Sequence, residues 1–182
     1  MNKKVFVPVA HGTEEMEAVI IIDMLRRASL NVKVAGETEI ITCSRGIKII
    51  PDVLIHKMEP HEDFDAIVIP GGLEGTENLN NNDRFIEILH HNAKNGKIIA
   101  AICAAPTILI RHQLLRADNH ITSHPSVSNF FKEVNYSEDC VVVNGNFVTS
   151  RGAGTAFEFS LKLIELLCNK ETANKIANQI VL

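Results

Sequence analysis

Apolar residues along this chain come in short runs whose period switches between strand and helix. Val5–Val9 is a short apolar run and predicts a first strand. Glu14–Ala28 then carries apolar positions at helical spacing. Val32–Ala35 reads as a second strand, and Thr38–Thr42 with Lys48–Ile50 as a small hairpin around Ser44-Arg45-Gly46. Ala66–Ile69 is a fully apolar strand ended by Pro70-Gly71-Gly72. Asp83–Asn95 predicts a helix capped by Asp83 or Asn82 and stopped by Asn95-Gly96. Ile98–Ile102 is another buried strand. A helix is expected straight after it, starting at Cys103 or Ala104, with Pro106 in its first turn. Val141–Val143 and Phe147–Thr149 flank Asn144-Gly145-Asn146, a hairpin signal. Gly154 or Thr155 opens a helix to Cys168, and Lys170–Gln179 is the last helix. Short apolar strands alternating with helices predict an α/β fold, with a mostly parallel sheet and helices on both faces. Such sheets bind ligands at the carboxyl ends of their strands, where Gly12, Gly71-Gly72 and Cys103 fall.

Composition narrows the function. The 182 residues are 46% hydrophobic and 22% charged, enough for one domain with a full core. The net charge of −4 and an aromatic content of 5% without Trp argue against a nucleic-acid groove or an anionic membrane surface. The longest apolar stretch, Ile98 to Ile110, is about 13 residues, short of the roughly 20 of a membrane span. The reading is a soluble, cytoplasmic protein. Cys43, Cys103, Cys140 and Cys168 form no C-x-x-C pair and no metal spacing, so free thiols in a reducing compartment are expected.

On the Glu14–Ala28 helix, Glu17 shares a face with Ile21, Met24, Leu25 and Ala28, while Met16, Val19 and Ile20 line another side. A helix apolar on more than one side is buried on more than one side. The second face meets either another subunit or a loop of the same chain. Glu14 and Glu15 read as first-turn surface carboxylates stabilised by the helix dipole. Glu17, among apolar neighbours, should have a raised pKa. Cys103 sits on a strand-to-helix turn, where free backbone N–H groups and the helix dipole favour a thiolate; the alternative is an inert buried thiol. Gly71-Gly72 permits close backbone approach and could supply an oxyanion-hole N–H, or could be a plain tight turn. His124, before Pro125, is one of eight His and a candidate only by position. Arg151-Gly-Ala-Gly154 lacks the Gly-Lys-Ser/Thr of a phosphate loop.

Several segments, in order, resemble the DJ-one/PfpI superfamily (ThiJ, protein deglycase), closest to its DJ-one branch. They are Gly12-Thr-Glu-Glu-Met-Glu17, Thr42-Cys-Ser-Arg45, Ile69-Pro-Gly-Gly72, Ala100-Ala-Ile-Cys-Ala-Ala-Pro-Thr107, Ser123-His-Pro125 and Thr149-Ser-Arg-Gly-Ala-Gly-Thr155 with Phe157-Glu-Phe159. The resemblance implies a flavodoxin-like three-layer α/β sandwich and a homodimer. It implies Cys103 as an oxidation-prone nucleophile on an elbow, Glu17 bonded to its sulfur, and His124 nearby. It places the backbone N–H groups of Gly72 and Ala104 in an oxyanion hole, with Gly71, Arg45, Glu14 and a cross-dimer Arg27 as further substrate-binding residues. The implied activity is a glutathione-independent glyoxalase or a protein or nucleotide deglycase acting on small dicarbonyls, without metal or organic cofactor. A redox-sensing stress protein or chaperone is the alternative. Ala153, Ala105 and Ile50 depart from the pattern, standing where Pro, Gly and Cys are expected. Ala104 after the nucleophile, in place of His, speaks against the protease branch. Ser126 and Val127 in place of a His-x-Glu pair speak against ammonia release.

Overall fold

The computed structural model describes residues 3–182. Its strands are β1 (Lys4–Val9), β2 (Asn31–Gly36), β3 (Ile41–Thr42), β4 (Lys48–Ile49), β5 (Val53–Leu54), β6 (Ala66–Ile69), β7 (Ile98–Ile102), β8 (His120–Ile121), β9 (Asn135–Tyr136), β10 (Val141–Asn144) and β11 (Phe147–Ser150). The helices are α1 (Glu15–Arg27), α2 (Leu73–Asn80), α3 (Asp83–Lys94), α4 (Pro106–Arg111), α5 (Ala156–Leu167) and α6 (Lys170–Gln179). Seven strands form the main sheet in the order β10-β11-β7-β6-β1-β2-β5. Every neighbouring pair in it is parallel except β10 with β11, the expected hairpin.

Side chains alternate across this sheet with period two. Val5, Val7, Val9, Val68 and Ile102 face α1, α5 and α6, and pack on Ile21, Leu25, Phe159 and Leu163. Phe6, Ile67, Ile69, Ile99 and Ala101 face the other way, onto Phe85, Ile88 and Leu89 of α3 and Leu109 of α4. The central strands are buried on both faces, which is why they read as unbroken apolar runs. Each large side chain so buried stabilises the fold by about 1.5–3 kcal/mol of transfer free energy. The three-layer sandwich is the expected one.

The differences are local. Helix α4 starts at Pro106, not at Cys103 or Ala104. Residues 103–105 form a turn, because Cys103 has φ +64, outside the helical region. Helix α2 was not expected at all. It contains Gly75, Asn78 and Asn80, which are weak helix formers, and its N-cap is Gly72 with no side-chain cap. Tertiary contacts hold it instead: Leu79 and Thr76 are buried, and the Asn78 side-chain amide donates to the His11 carbonyl at 2.9 Å. The first hairpin strand is only Ile41–Thr42, shorter than Thr38–Thr42.

Strand order reverses between β1 and β6, so the loops after these strands part and leave a crevice. The ends of β1, β6, β7 and β11 all lie at that edge of the sheet. Among the described residues no helix is long and apolar enough to cross a membrane.

Candidate functional site

A pocket of about 390 Å3 opens where these strand ends meet. Gly12, Glu14, Glu17, Ser44, Arg45, Gly72, Leu73, Glu74, Cys103, Ala104, His124, Ser126 and Ala153 line it. Cys103 is its centre. Left-handed backbone costs a non-glycine residue about 1–2 kcal/mol, so the surroundings must hold it. Both of its backbone groups are engaged across strands. The Cys103 N–H donates to the Ser150 carbonyl at 3.0 Å, and the His124 N–H donates to the Cys103 carbonyl at 2.8 Å. The turn thus aims the side chain out of the sheet into the pocket.

The backbone N–H groups of Gly72 and Ala104 both donate toward the Cys103 sulfur. Gly71 has to be glycine here. A β-carbon on it would lie 2.6 Å from Cys103 Cβ and 2.7 Å from Glu17 Oε2. The pair Gly71-Gly72 is therefore more than a tight turn, since it lets the segment after β6 press against the nucleophile.

Glu17 is fully buried in the first half of α1. Its Oε2 accepts the Gly71 N–H at 2.7 Å, and the carboxyl lies against Cys103 closely enough for the two to influence each other's titration. Its Oε1 has no donor within ordinary hydrogen-bond geometry. Burial raises this carboxyl from its usual 4.5 to about 7, as expected from its apolar neighbours. The expected thiolate is not an automatic result of the turn. Burial and the negative charge of Glu17 push the Cys103 thiol up to about 12, against the pull of the two N–H groups. Helix α4, starting three residues later, has only six residues and adds little dipole at the sulfur. The two groups compete for one proton. Once Glu17 holds it, its repulsion of the sulfur vanishes and its hydroxyl becomes a third donor to a thiolate.

His124 sits at the pocket mouth, exposed. Its Nδ1 accepts the Ser126 N–H at 3.2 Å, which leaves the proton of the neutral ring on Nε2. Ala104 and Gly72 line the pocket beside Cys103. Glu14 is half-buried at the lip, where it caps α1 and accepts from the Ser44 hydroxyl at 2.8 Å. Arg45 lines the wall from the hairpin turn. Arg27 does not reach this pocket within its own chain. It lies in the last turn of α1, paired with Asp23 at 2.5 Å, and ten residues of helix place it about 15 Å from Glu17.

The reading of Glu15 as a surface carboxylate is wrong: it is 2% exposed. Four donors surround it: its own N–H, those of Arg45 and Ile47, and the Ser44 hydroxyl. They lower its pKa in spite of the desolvation that opposes them. Nothing near it in sequence signals this, because the burying hairpin lies thirty residues away. Leu73, Glu74 and Ser126 were also missed; Leu73 and Glu74 belong to the unexpected helix α2. All four cysteines are free. A wider groove of about 720 Å3 along the β2–β5 edge, lined by residues such as Lys33, Ile40, Pro51 and Glu59, contains no Cys, Ser or His.

The model of the DJ-1/PfpI family matches residues 3–166. The Drosophila melanogaster protein dj-1beta is 40% identical over 185 residues, covering 100% of this chain and 98% of the relative. The Caenorhabditis elegans glutathione-independent glyoxalase DJR-1.2 is 37% identical over 172 residues, covering 93% of this chain and 90% of the relative. Among solved structures, oxidized Toxoplasma gondii DJ-1 superposes with a TM-score of 0.94 at 44% identity, covering 98% of each chain.

The Glu17 carboxyl makes stability depend on pH. Its pKa is raised on folding, so its contribution is complete below 4.5 and is lost as pH rises through about 7. That span corresponds to about 3 kcal/mol. Glu17→Gln should therefore lose much less stability than the wild type between pH 4.5 and pH 8. Urea unfolding at both pH values checks this, and an equal loss in the two proteins would refute the raised pKa.

Proposed function

Because this chain belongs to the DJ-1/PfpI family, we propose that its pocket converts methylglyoxal or glyoxal to lactate or glycolate through Cys103, without glutathione. The observation that carries the reading is the company of the sulfur: two backbone N–H donors and one buried, protonatable carboxyl. The relative named as a glutathione-independent glyoxalase supports it at the level of the family.

The steps use groups already in place. The Cys103 thiolate adds to the aldehyde carbon, forming a C–S bond and a hemithioacetal. The oxygen charge developing in that step is met by the N–H groups of Gly72 and Ala104. Glu17, with a pKa near 7, takes the proton from the first carbon and returns it to the second by way of an enediol. The product is a thioester on Cys103. Water cleaves it, releasing the hydroxy acid and restoring the thiol. The Nε2–H of His124 positions the second carbonyl at the mouth, and Arg45 faces the carboxylate as it forms. Early adducts of the same dicarbonyls with proteins or nucleotides are a second substrate class, admitted because the pocket opens directly to solvent beside His124. Lactate formed from methylglyoxal by the reduced protein, and absent with Cys103→Ser, is the expected result. A Cys103→Ser protein retaining most of the rate would exclude this mechanism.

A second reading has its own support. The structural relative in an oxidized state shares 44% identity with this chain, and the donors that stabilise a thiolate also stabilise a sulfinate. Two equivalents of peroxide would carry Cys103 through a sulfenic to a sulfinic acid, each releasing one water, and alter a stress-response or chaperone role. Mass spectrometry after mild peroxide treatment should find two added oxygens on Cys103 before any on Cys43, Cys140 or Cys168. Uniform oxidation of the four would remove this reading.

The exposed side of α1 supports a homodimer. Met16 and Val19 are 56% and 51% exposed, and Ile47 and Ile50 beside them are 56% and 78% exposed. Water covers this patch in a single chain, which is unfavourable for so much contiguous apolar surface. A dimer on this face would also bring the partner's α1 close, the one route by which Arg27 acts near a pocket. Sedimentation should give about twice the 20.1 kDa chain mass, and Val19→Asp should halve it; a monomeric wild type would refute the dimer.

A further inference from the structure

The pocket wall that carries Ser44 and Arg45 is a short hairpin rooted in the core by Ile41 and Cys43, while its turn projects beyond that anchor. Strands β3 and β4 contribute two residues each, in the register Ile41↔Ile49 and Thr42↔Lys48. An isolated hairpin of this size is not stable in water. Ser44, Arg45, Gly46, Ile47 and Lys48 are all exposed. The turn closes on itself through the Gly46 N–H to the Cys43 carbonyl at 3.0 Å and the Cys43 N–H to the Ile47 carbonyl at 2.8 Å. Those bonds shape the turn but do not attach it to the sheet.

Beyond the core side chains Ile41 and Cys43, the hydrogen bonds that attach it come from residues 11–15. The Gly12 N–H donates to the Thr42 carbonyl at 2.9 Å, and the Ser44 N–H donates to the Thr13 carbonyl at 2.9 Å. The Thr42 N–H donates to His11 Nδ1 at 3.0 Å. Past Ser44, the backbone N–H groups of Arg45 and Ile47 are tied to the rest of the chain by Glu15. Its Oε1 accepts the Arg45 N–H at 2.8 Å and the Ile47 N–H at 3.5 Å, and its Oε2 accepts the Ser44 hydroxyl at 2.7 Å. The same hydroxyl lies 2.8 Å from Glu14 Oε2, so its single proton ties the clamp to the pocket lip.

We propose that Glu15 is a positioning residue: its buried carboxylate clamps the Ser44–Ile47 turn and so holds the Arg45 guanidinium over the Cys103 pocket. The clamp governs how negative charge is received at the mouth and leaves the sulfur's own surroundings untouched, because Glu15 bonds to neither Cys103 nor Glu17. The inference rests on the reading of this pocket as the reacting site. Its test needs no turnover, so a failed glyoxalase assay would not count against it.

Two alkylating probes distinguish the roles. Neutral iodoacetamide reports access to the Cys103 thiolate, whereas anionic iodoacetate also reports a cation beside it. A unit charge at the mouth of a partly desolvated pocket should favour the anion on the order of fivefold. Full-length wild type, Glu15→Gln, Glu15→Ala and Arg45→Ala would be compared, with hydrogen exchange of the 43–47 amides measured on each. Glu15→Ala should release those amides and lower the iodoacetate-to-iodoacetamide ratio to that of Arg45→Ala, with the iodoacetamide rate within about twofold of wild type. Glu15→Gln keeps an acceptor for the Arg45 N–H and should recover most of the protection and the ratio. If methylglyoxal is turned over, Glu15→Ala should lower kcat more than it raises KM, because the substrate is neutral and Arg45 meets charge only as the carboxylate forms. Unchanged amide exchange, an unchanged ratio, or equal loss of both alkylation rates would overturn the proposal. Should Glu15→Ala fail to fold, the decision passes to the other two variants: a ratio in Arg45→Ala equal to wild type overturns it, as does a Glu15→Gln ratio below that of Arg45→Ala.

Discussion

One backbone conformation organises this molecule: the left-handed turn at Cys103. Its strain is opposed by two hydrogen bonds, one to β11 through Ser150 and one from the segment that begins at His124. Those same bonds bring the His124 segment and the end of β11 to the sulfur. A relaxed turn would lose the nucleophile's aim and two walls of the pocket together. The absence of a side chain at Gly71 belongs to the same constraint, because the segment after β6 runs close against the β-carbon of Cys103.

Two carboxylates two residues apart on α1 meet opposite fates for a countable reason. Glu15 is surrounded by four donors and is held ionised although it is buried. Glu17 has one N–H and a thiol, too few to offset desolvation, so its pKa rises toward neutrality. The first suits a fixed anchor and the second a group that must gain and lose a proton. The number of donors decides the role, not the residue type or its position in the first turn.

Much of this was legible in the chain. Runs such as Ala66–Ile69 and Ile98–Ile102 matched their strands residue for residue, because a strand buried on both faces must be apolar throughout. Lys170–Gln179, the last helix, also matched residue for residue. Helix α2 was not legible, since its Gly and Asn residues oppose helix formation and only packing against the β1 loop and α3 overrides them. The start of α4 was misplaced because a non-glycine residue at φ +64 leaves no mark in sequence.

The sequence by itself determined the layer order, the strand ends that carry chemistry, and the candidacy of Cys103, Glu17 and Gly72, since these follow from local periodicity, turn residues and motif order. Only the tertiary structure decided the protonation balance between Cys103 and Glu17, the burial of Glu15, and the separation of Arg27 from the pocket of its own chain. Each of these depends on groups far apart in sequence, and desolvation and hydrogen bonding act through space.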